Sequence, residues 1–189
     1  MAVTRRWFRW LAAAVCCAGA ASAGAQEIDS ERSRIGFELR TRWGQRVDGT
    51  FARHQGMVTA LADGRQQVQL TLAAAAIEVA DSTYYTVMAR GPQFFDAARY
   101  PYIDFLSEPH REALVHDGGK LRGKLTLHGV TRSESFILQP AECARPGRDC
   151  DVVATGVINR ADYGLSGYRL VLSDWVRFTM RVRLKNEDE

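Results

Sequence analysis

The sequence contains no His-x-x-x-His pair, no Cys-x-x-Cys and no Gly-x-Ser-x-Gly elbow, so neither a metal centre nor an acyl-transfer site has a motif to rest on. Histidine is scarce. The four present, His54, His110, His116 and His128, are scattered through turns and polar faces. An excess of one charge is almost absent too: the formal +3 comes from Arg5, Arg6 and Arg9, and without them 22 Lys and Arg face 22 Asp and Glu. A neutral body lacks the basic stripe that nucleic-acid binding needs, which excludes that partner. After residue 25 there is no apolar run of membrane-spanning length, no internal repeat and no low-complexity stretch. What remains, 189 residues that are 46% hydrophobic and 25% charged, fits one globular domain and excludes a disordered or collagen-like chain or a multi-domain enzyme.

Residues 1–25 have the layout of a secretory signal: a basic tip, an apolar run from Trp10 through Ala21, and small residues at the end. Of two small-x-small sites, Ala23-Gly24-Ala25 is preferred over Ala21-Ser22-Ala23, leaving Gln26 at the head of a mature domain spanning 26–189. The apolar run is shorter than a membrane anchor requires. Thr4-Arg5-Arg6-Trp7-Phe8 also resembles a twin-arginine export signal, with ordinary secretion as the default. Cleavage reduces four cysteines to two, Cys143 and Cys150, which in an oxidising compartment are expected to pair. So short a closed loop contributes about 2 to 3 kcal/mol, enough to pin a loop rather than to hold a fold.

From Gln26 onward the chain alternates with period two. In Lys120 to His128 the apolar Leu121, Leu125 and Leu127, with Gly123, alternate with polar residues; in the last segment Val176, Phe178, Met180, Val182 and Leu184 alternate with Arg177, Thr179, Arg181 and Arg183. Further strands are expected at 34–40, 47–51, 56–60, 66–72, 102–107, 113–116, 134–139, 152–159 and 168–172, separated by turns such as Asp63-Gly64 and Asp117-Gly118-Gly119. Many short amphipathic strands argue an antiparallel sandwich or barrel. The one interruption is residues 81–99, where Asp81 or Ser82 caps a short helix through about Arg90, Phe94 to Ala98 form a further turn, and the insertion can plug a barrel end. Alternation shows an apolar interior without showing whether it is filled or hollow.

Two polar clusters invite a catalytic reading. His128 ends a strand in Leu125-Thr126-Leu127-His128-Gly129, and Arg160 lies two residues from Asp162. The former reads as a turn histidine and the latter as an ion pair or turn lock, the alternative being an enzyme that uses His128, Asp162 and Arg160.

Read together, several stretches resemble the YceI-like family of bacterial periplasmic polyisoprenoid-binding proteins. Ile28-Asp29 with Ser33 to Phe37 resembles its opening strand, and Val47-Asp48-Gly49-Thr50-Phe51 with Gly56 its second. Phe94-Phe95-Asp96, Tyr100-Pro101 and Ile103 to Ser107 resemble its "FFD, YP, FxS" run, Gly123 to Thr131 its "GxLTxHGVT" signature, and Asn159 to Leu165 its "xRxDFGL" motif. The resemblance spans roughly residues 27 to 184. It implies an all-β, eight-stranded antiparallel lipocalin-like β-barrel with a short helical insertion, holding an isoprenoid lipid such as a polyprenyl or quinone-like chain in a long apolar tunnel. It further implies no catalysis and no cofactor beyond the lipid, a periplasmic location, peripheral or transient membrane contact and compatibility with a homodimer. A ligand-free envelope module is the non-enzymatic alternative. Motif position combined with inward parity selects Phe37, Leu39, Phe51, Leu70, Leu72, Met88, Phe94, Phe95, Phe105, Leu125, Leu127, Tyr163, Phe178 and Met180 as the lining. The sequence departs from the family pattern at Arg32, where a His is usual, at Tyr85-Thr86, in place of an Arg-Asp pair, and at Met88, where a His often stands. The expected bridge is checked by the mass of the exported chain, which should lie two hydrogens below that of the reduced chain; free thiols at Cys143 and Cys150 would refute it.

Overall fold

The computed structural model describes residues 24–186. The expected secretory signal lies outside the described residues apart from Gly24 and Ala25.

Twelve strand segments form one antiparallel sheet: β1 (Ala25–Glu27), β2 (Arg34–Thr41), β3 (Arg46–Phe51), β4 (His54–Ala60), β5 (Arg65–Ala73), β6 (Ile77–Val79), β7 (Tyr102–Ser107), β8 (His110–Arg111), β9 (Gly119–Leu127), β10 (Val130–Leu138), β11 (Val152–Asn159) and β12 (Leu172–Val182). Several are halves of one run. The chain bends at Ala52 and Arg53 between β3 and β4, and a 3-10 turn at Ala74–Ala76 separates β5 from β6, yet β3 pairs with β6 and β4 with β5, so 46–60 and 65–79 are one long bent hairpin. β1 and β2 likewise flank a turn and pair with β4 and β3. Merged in this way, with β8 an appendage on β5, the segments become eight strands. Each pairs with its sequence neighbour, and β12 returns to pair with β2. The path of pairings ends at β1 and at β6, and the free side of β6, at the end here termed upper, receives the 80–101 insertion. The fold is the expected all-β lipocalin-like class.

Parity along the strands puts Ile35, Phe37 and Leu39, Leu121, Leu125 and Leu127, and Val176, Phe178 and Met180 inside, as the alternation predicts. The turns follow backbone chemistry. His128 and Gly129 form the two-residue β9–β10 connection, both with positive φ (52° and 74°), the geometry that matches the twist of a hairpin and that Gly, and more rarely His, tolerates. Helix α1 (Thr83–Arg90) starts where Ser82 accepts the Tyr85 N–H at 3.1 Å, as expected.

Two expectations fail. Residues 113–116 are not a strand but part of helix α2 (Ala113–Asp117), because four residues are too few to separate the two periods and Gly118, at φ 74°, permits a helical stop on the Leu114 carbonyl. Residues 168–172 are also not a strand: Tyr168 has φ 56°, its carbonyl accepts from Val171 and Leu172, and β12 starts only at Leu172. The bridge between Cys143 and Cys150 is present, with Cα atoms 6.0 Å apart, and Arg145 and Asp149 reinforce its loop with paired hydrogen bonds of 2.9 and 2.8 Å.

Inside the barrel, rings sit on glycines of neighbouring strands. A Cβ added at Gly49 would lie 2.3 Å from Phe37 Cζ, one at Gly123 2.5 Å from Phe105 Cζ, and one at Gly156 2.4 Å from Phe136 Cδ1. A glycine here admits a ring against the wall that any larger residue would push into the lumen. Gly49→Ala is accordingly expected to destabilise the protein by about 1 to 3 kcal/mol through overpacking, read as a lower urea midpoint. Adding Phe37→Leu should recover part of the loss; simple additivity of the two changes would argue against the contact as its cause.

Candidate functional site

The interior is divided. At the upper end, between the β2–β3 turn, α1 and the 168–172 segment, lies a cavity of about 520 Å³. Its deep wall is apolar, made by Phe37, Leu39, Val47, Val79, Met88, Ala89, Phe94 and Leu172, and polar groups, Thr41, Gln45 and Arg46, appear with Trp43 toward the mouth. At the lower end a smaller cavity of about 110 Å³ is lined by Ile28, Leu70, Phe105, Leu121, Ala154, Met180 and neighbours. Between them the barrel has an aromatic waist: Phe51 lies 5.5 Å from Phe37, 6.1 Å from Phe95 and 6.3 Å from Phe178, and Phe94 meets Phe95 edge-on at 4.9 Å. The void at this level is about 10 Å³, no larger than one water-sized probe. The resemblance implies one long tunnel; the structure shows two compartments, because the insertion delivers Phe94 and Phe95 into the bore.

The expected lining residues are therefore spread over three levels. Phe37, Leu39, Met88 and Phe94 face the upper cavity; Phe51, Phe95, Leu127 and Phe178 belong to the waist; Leu70, Phe105 and Met180 face the lower cavity. Leu72, Leu125 and Tyr163 are buried but line none of these spaces. Parity could have added Val47, two residues before Gly49. The contributions of Trp43, Tyr168 and Val171 depend on loop geometry, which alternation does not encode.

The polar candidates do not converge. Arg160 is fully buried and bonds to four carbonyls, those of Ser173 (2.9 Å), Leu165 (2.6 Å), Gly167 (2.7 Å) and Leu172 (3.4 Å). Its ion-pair partner is Asp174 at 3.3 Å, not Asp162, and its guanidinium carbon lies 5.6 Å from the Phe94 ring centroid. Burial lowers its pKa from the ordinary guanidinium value, and Asp174 opposes that shift. Arg160 is thus a turn lock on the 165–173 segment, and because carbonyls of that segment face the guanidinium, the segment is no strand. Asp162 sits on the surface 4.0 Å from Arg132. His128 Nδ1 donates to the Tyr163 carbonyl at 3.2 Å and its ring lies 4.3 Å from that of Tyr100, a turn histidine. The Tyr163 hydroxyl donates to Glu134 at 2.7 Å, and burial followed by that carboxylate pushes its pKa far above the phenol range. Among the described residues no three His, Cys, Asp or Glu side chains cluster as a metal site.

A sequence profile of the YceI-like domain matches residues 26–184. The chain belongs to the YceI-like family. Among solved structures, BcnA of Burkholderia cenocepacia matches with a TM-score of 0.68 at 18% identity, over 84% of this chain and 99% of that one. A polyisoprenoid binding domain from Saccharophagus degradans, implicated in plant cell wall breakdown, matches at 0.62 and 16% identity, over 85% and 97%. The YceI protein of Campylobacter jejuni matches at 0.58 and 18% identity, over 74% and 85%. A comparison with curated proteins finds no sequence match.

The departures from the YceI-like pattern fall at opposite ends of the barrel. Arg32 belongs to the lower closure, paired with Asp29 and donating to the Leu184 carbonyl at 2.9 Å, and with the neighbouring backbone amides it holds the Asp29 carboxyl below its usual range. Tyr85 and Met88 line the upper cavity and give its wall a phenol and a thioether. Arg160→Met is expected to cost about 3 to 5 kcal/mol, since it strands Asp174 and four carbonyls. Amide exchange should quicken across 165–173 before the strands are affected; uniform acceleration would show that Arg160 acts on the whole barrel rather than as a local lock.

Proposed function

We propose that this protein binds an isoprenoid lipid in the upper cavity and serves, after export to the periplasm, to carry, store or sequester it without chemical change. The observation that carries the reading is the 520 Å³ cavity with an apolar floor and a polar rim, at the open end of a YceI-like barrel. Its volume lies within the range of about 300 to 1,000 Å³ typical of small-molecule sites. Each methylene or methyl buried against Leu39, Val79 or Phe94 is worth about 0.8 kcal/mol, so a repeating hydrocarbon gains affinity in proportion to the length that fits and needs no charge on the protein. Thr41, Gln45 and Arg46 at the mouth provide polar contacts for a head group. The related domain from Saccharophagus degradans, described as polyisoprenoid-binding, supports the choice of ligand class. A catalytic role finds no support, as Arg160, His128 and Asp162 are each engaged in structural contacts and share no open space. The lipid is thus the partner, and no further cofactor is required by the reading.

The waist sets a limit on length. A chain longer than the upper cavity must displace Phe94 and Phe95, or stop at them. Native mass spectrometry of protein offered isoprenols of graded length should show retained lipid with a cut-off. Met88→Glu, which puts a charge against the apolar wall, should weaken retention on the order of tenfold or more while circular dichroism stays unchanged. Phe95→Ala should open the waist and move the cut-off to longer chains, with a stability loss of about 3 to 5 kcal/mol. A protein that stays empty with every length offered would refute the reading.

A further inference from the structure

The upper mouth is bordered by apolar side chains that the fold leaves in water. Trp43 is 63% exposed, Tyr84 69% and Leu170 89%, with Tyr85 and Val87 also exposed on α1. They come from three segments that form one surface. Trp43, Tyr85 and Val171 line the same cavity, the Arg42 N–H donates to the Val171 carbonyl at 2.8 Å, and Arg42 Nε donates to the Arg169 carbonyl at 2.9 Å. The other exposed large apolar side chains, such as Met57, Ile137 and Trp175, stand instead on the outer faces of the strands. An apolar patch gathered at a mouth is a docking surface rather than the ordinary scatter of surface hydrophobics.

Its charge indicates the occupant. Glu38 and Asp48 near this rim are paired with Arg40 and Arg46, whereas Arg42 and Arg169 have no carboxylate partner among the described residues. Two guanidiniums beside Trp, Tyr and Leu side chains form the combination that seats a protein in the head-group layer of an anionic bilayer: aromatic rings at the interface, an aliphatic tip below it and arginines on lipid phosphate.

We propose that the upper mouth docks on the surface of a bilayer containing anionic phospholipid, with Trp43, Tyr84 and Leu170 entering the interface and Arg42 and Arg169 meeting lipid phosphates. The cavity then opens toward the lipid, and an isoprenoid passes between membrane and barrel without crossing water. This deepens the isoprenoid-binding reading by naming where the ligand enters, and docking itself is measurable with no isoprenoid present.

The test uses the chain from Gly24, which carries every strand pairing described, so that the apolar leader does not itself bind vesicles. Vesicles of phosphatidylglycerol and phosphatidylcholine should retain it on flotation, with binding on the order of tenfold weaker to phosphatidylcholine alone and falling with salt. In a Trp175→Phe background, where Trp43 is the only tryptophan left after the leader, brominated acyl chains should quench its fluorescence. Leu170→Glu and Arg169→Glu should each reduce vesicle binding about tenfold and leave isoprenoid retention in solution unchanged, since neither side chain lines the cavity. Unaltered vesicle binding by both variants, or no binding by the parent, would overturn the proposal. So would a dimer that Leu170→Glu dissociates, because the patch would then be a subunit interface. Docking with no isoprenoid retained at any chain length would uphold the surface and refute only the ligand.

Discussion

Phe37, Phe105 and Phe136 occupy the volume where Gly49, Gly123 and Gly156 lack a Cβ, and the bore of the barrel depends on that substitution of ring for side chain. An eight-stranded barrel is barely wide enough to be filled by its own residues. If all the inward positions carried branched side chains, the interior would close as a packed core. Seating the rings over glycine lets three large apolar groups be buried with most of their bulk in the wall. Phe105 and Phe136 also meet edge-on, with centroids 5.0 Å apart, which fixes one side of the barrel as a rigid surface. Against that surface the remaining rings, Phe51, Phe95 and Phe178, decide how far the cavity extends.

The upper end depends on a different device. Carbonyls that would have continued a strand ladder are turned inward to Arg160, and the 165–173 segment is drawn over the barrel edge rather than along it. A buried guanidinium tolerates this only because carbonyls accept from its donors and the Asp174 carboxylate balances its charge, the condition under which a buried charge is not ruinous. The consequence is a shaped mouth: Tyr168 and Leu172 become cavity wall, and Leu170 is left at the apex of the turn. The same arginine stacks on Phe94, so the mouth and the waist are held by one residue.

The wall of the barrel was legible in the sequence because it obeys a period. Leu121, Leu125, Leu127, Val176, Phe178 and Met180 all lie inward as alternation requires, and the cap at Ser82 announces α1. The failures lie where the backbone leaves regular structure. Tyr168 to Leu172 has strand-like composition, but its conformation is set by a guanidinium supplied from eight or more residues earlier, which no local pattern contains. Residues 113–116 are too short for periodicity to decide. The split interior is a tertiary effect of the same kind: Phe94 and Phe95 are recognisable as apolar and as a motif, but only the packing of the insertion shows that they stand across the bore rather than along it. Charge was legible in part, since a neutral body emerges once Arg5, Arg6 and Arg9 are set aside, yet neutrality overall conceals the uneven rim where Arg42 and Arg169 have no carboxylate partner among the described residues.

The two ends of the barrel are chemically unlike, and this decides which of them can open. At the lower end Gly147, within the loop closed by Cys143 and Cys150, accepts from the Leu184 N–H at 2.8 Å and packs so closely that a Cβ there would approach Leu184 Cγ at 3.0 Å. Arg183 ties the same region by donating to Asp151 and to the Arg148 carbonyl, and Arg32 holds the turn beside Leu184. Opening this end would break several backbone and charge-assisted bonds together and would strain a covalently closed loop. The upper mouth instead has a cavity already open and apolar side chains already in water, so exposing the bore there costs little further hydrophobic burial. The upper mouth is therefore the end at which the bore opens at least cost, and the disulfide loop contributes by holding the opposite end closed.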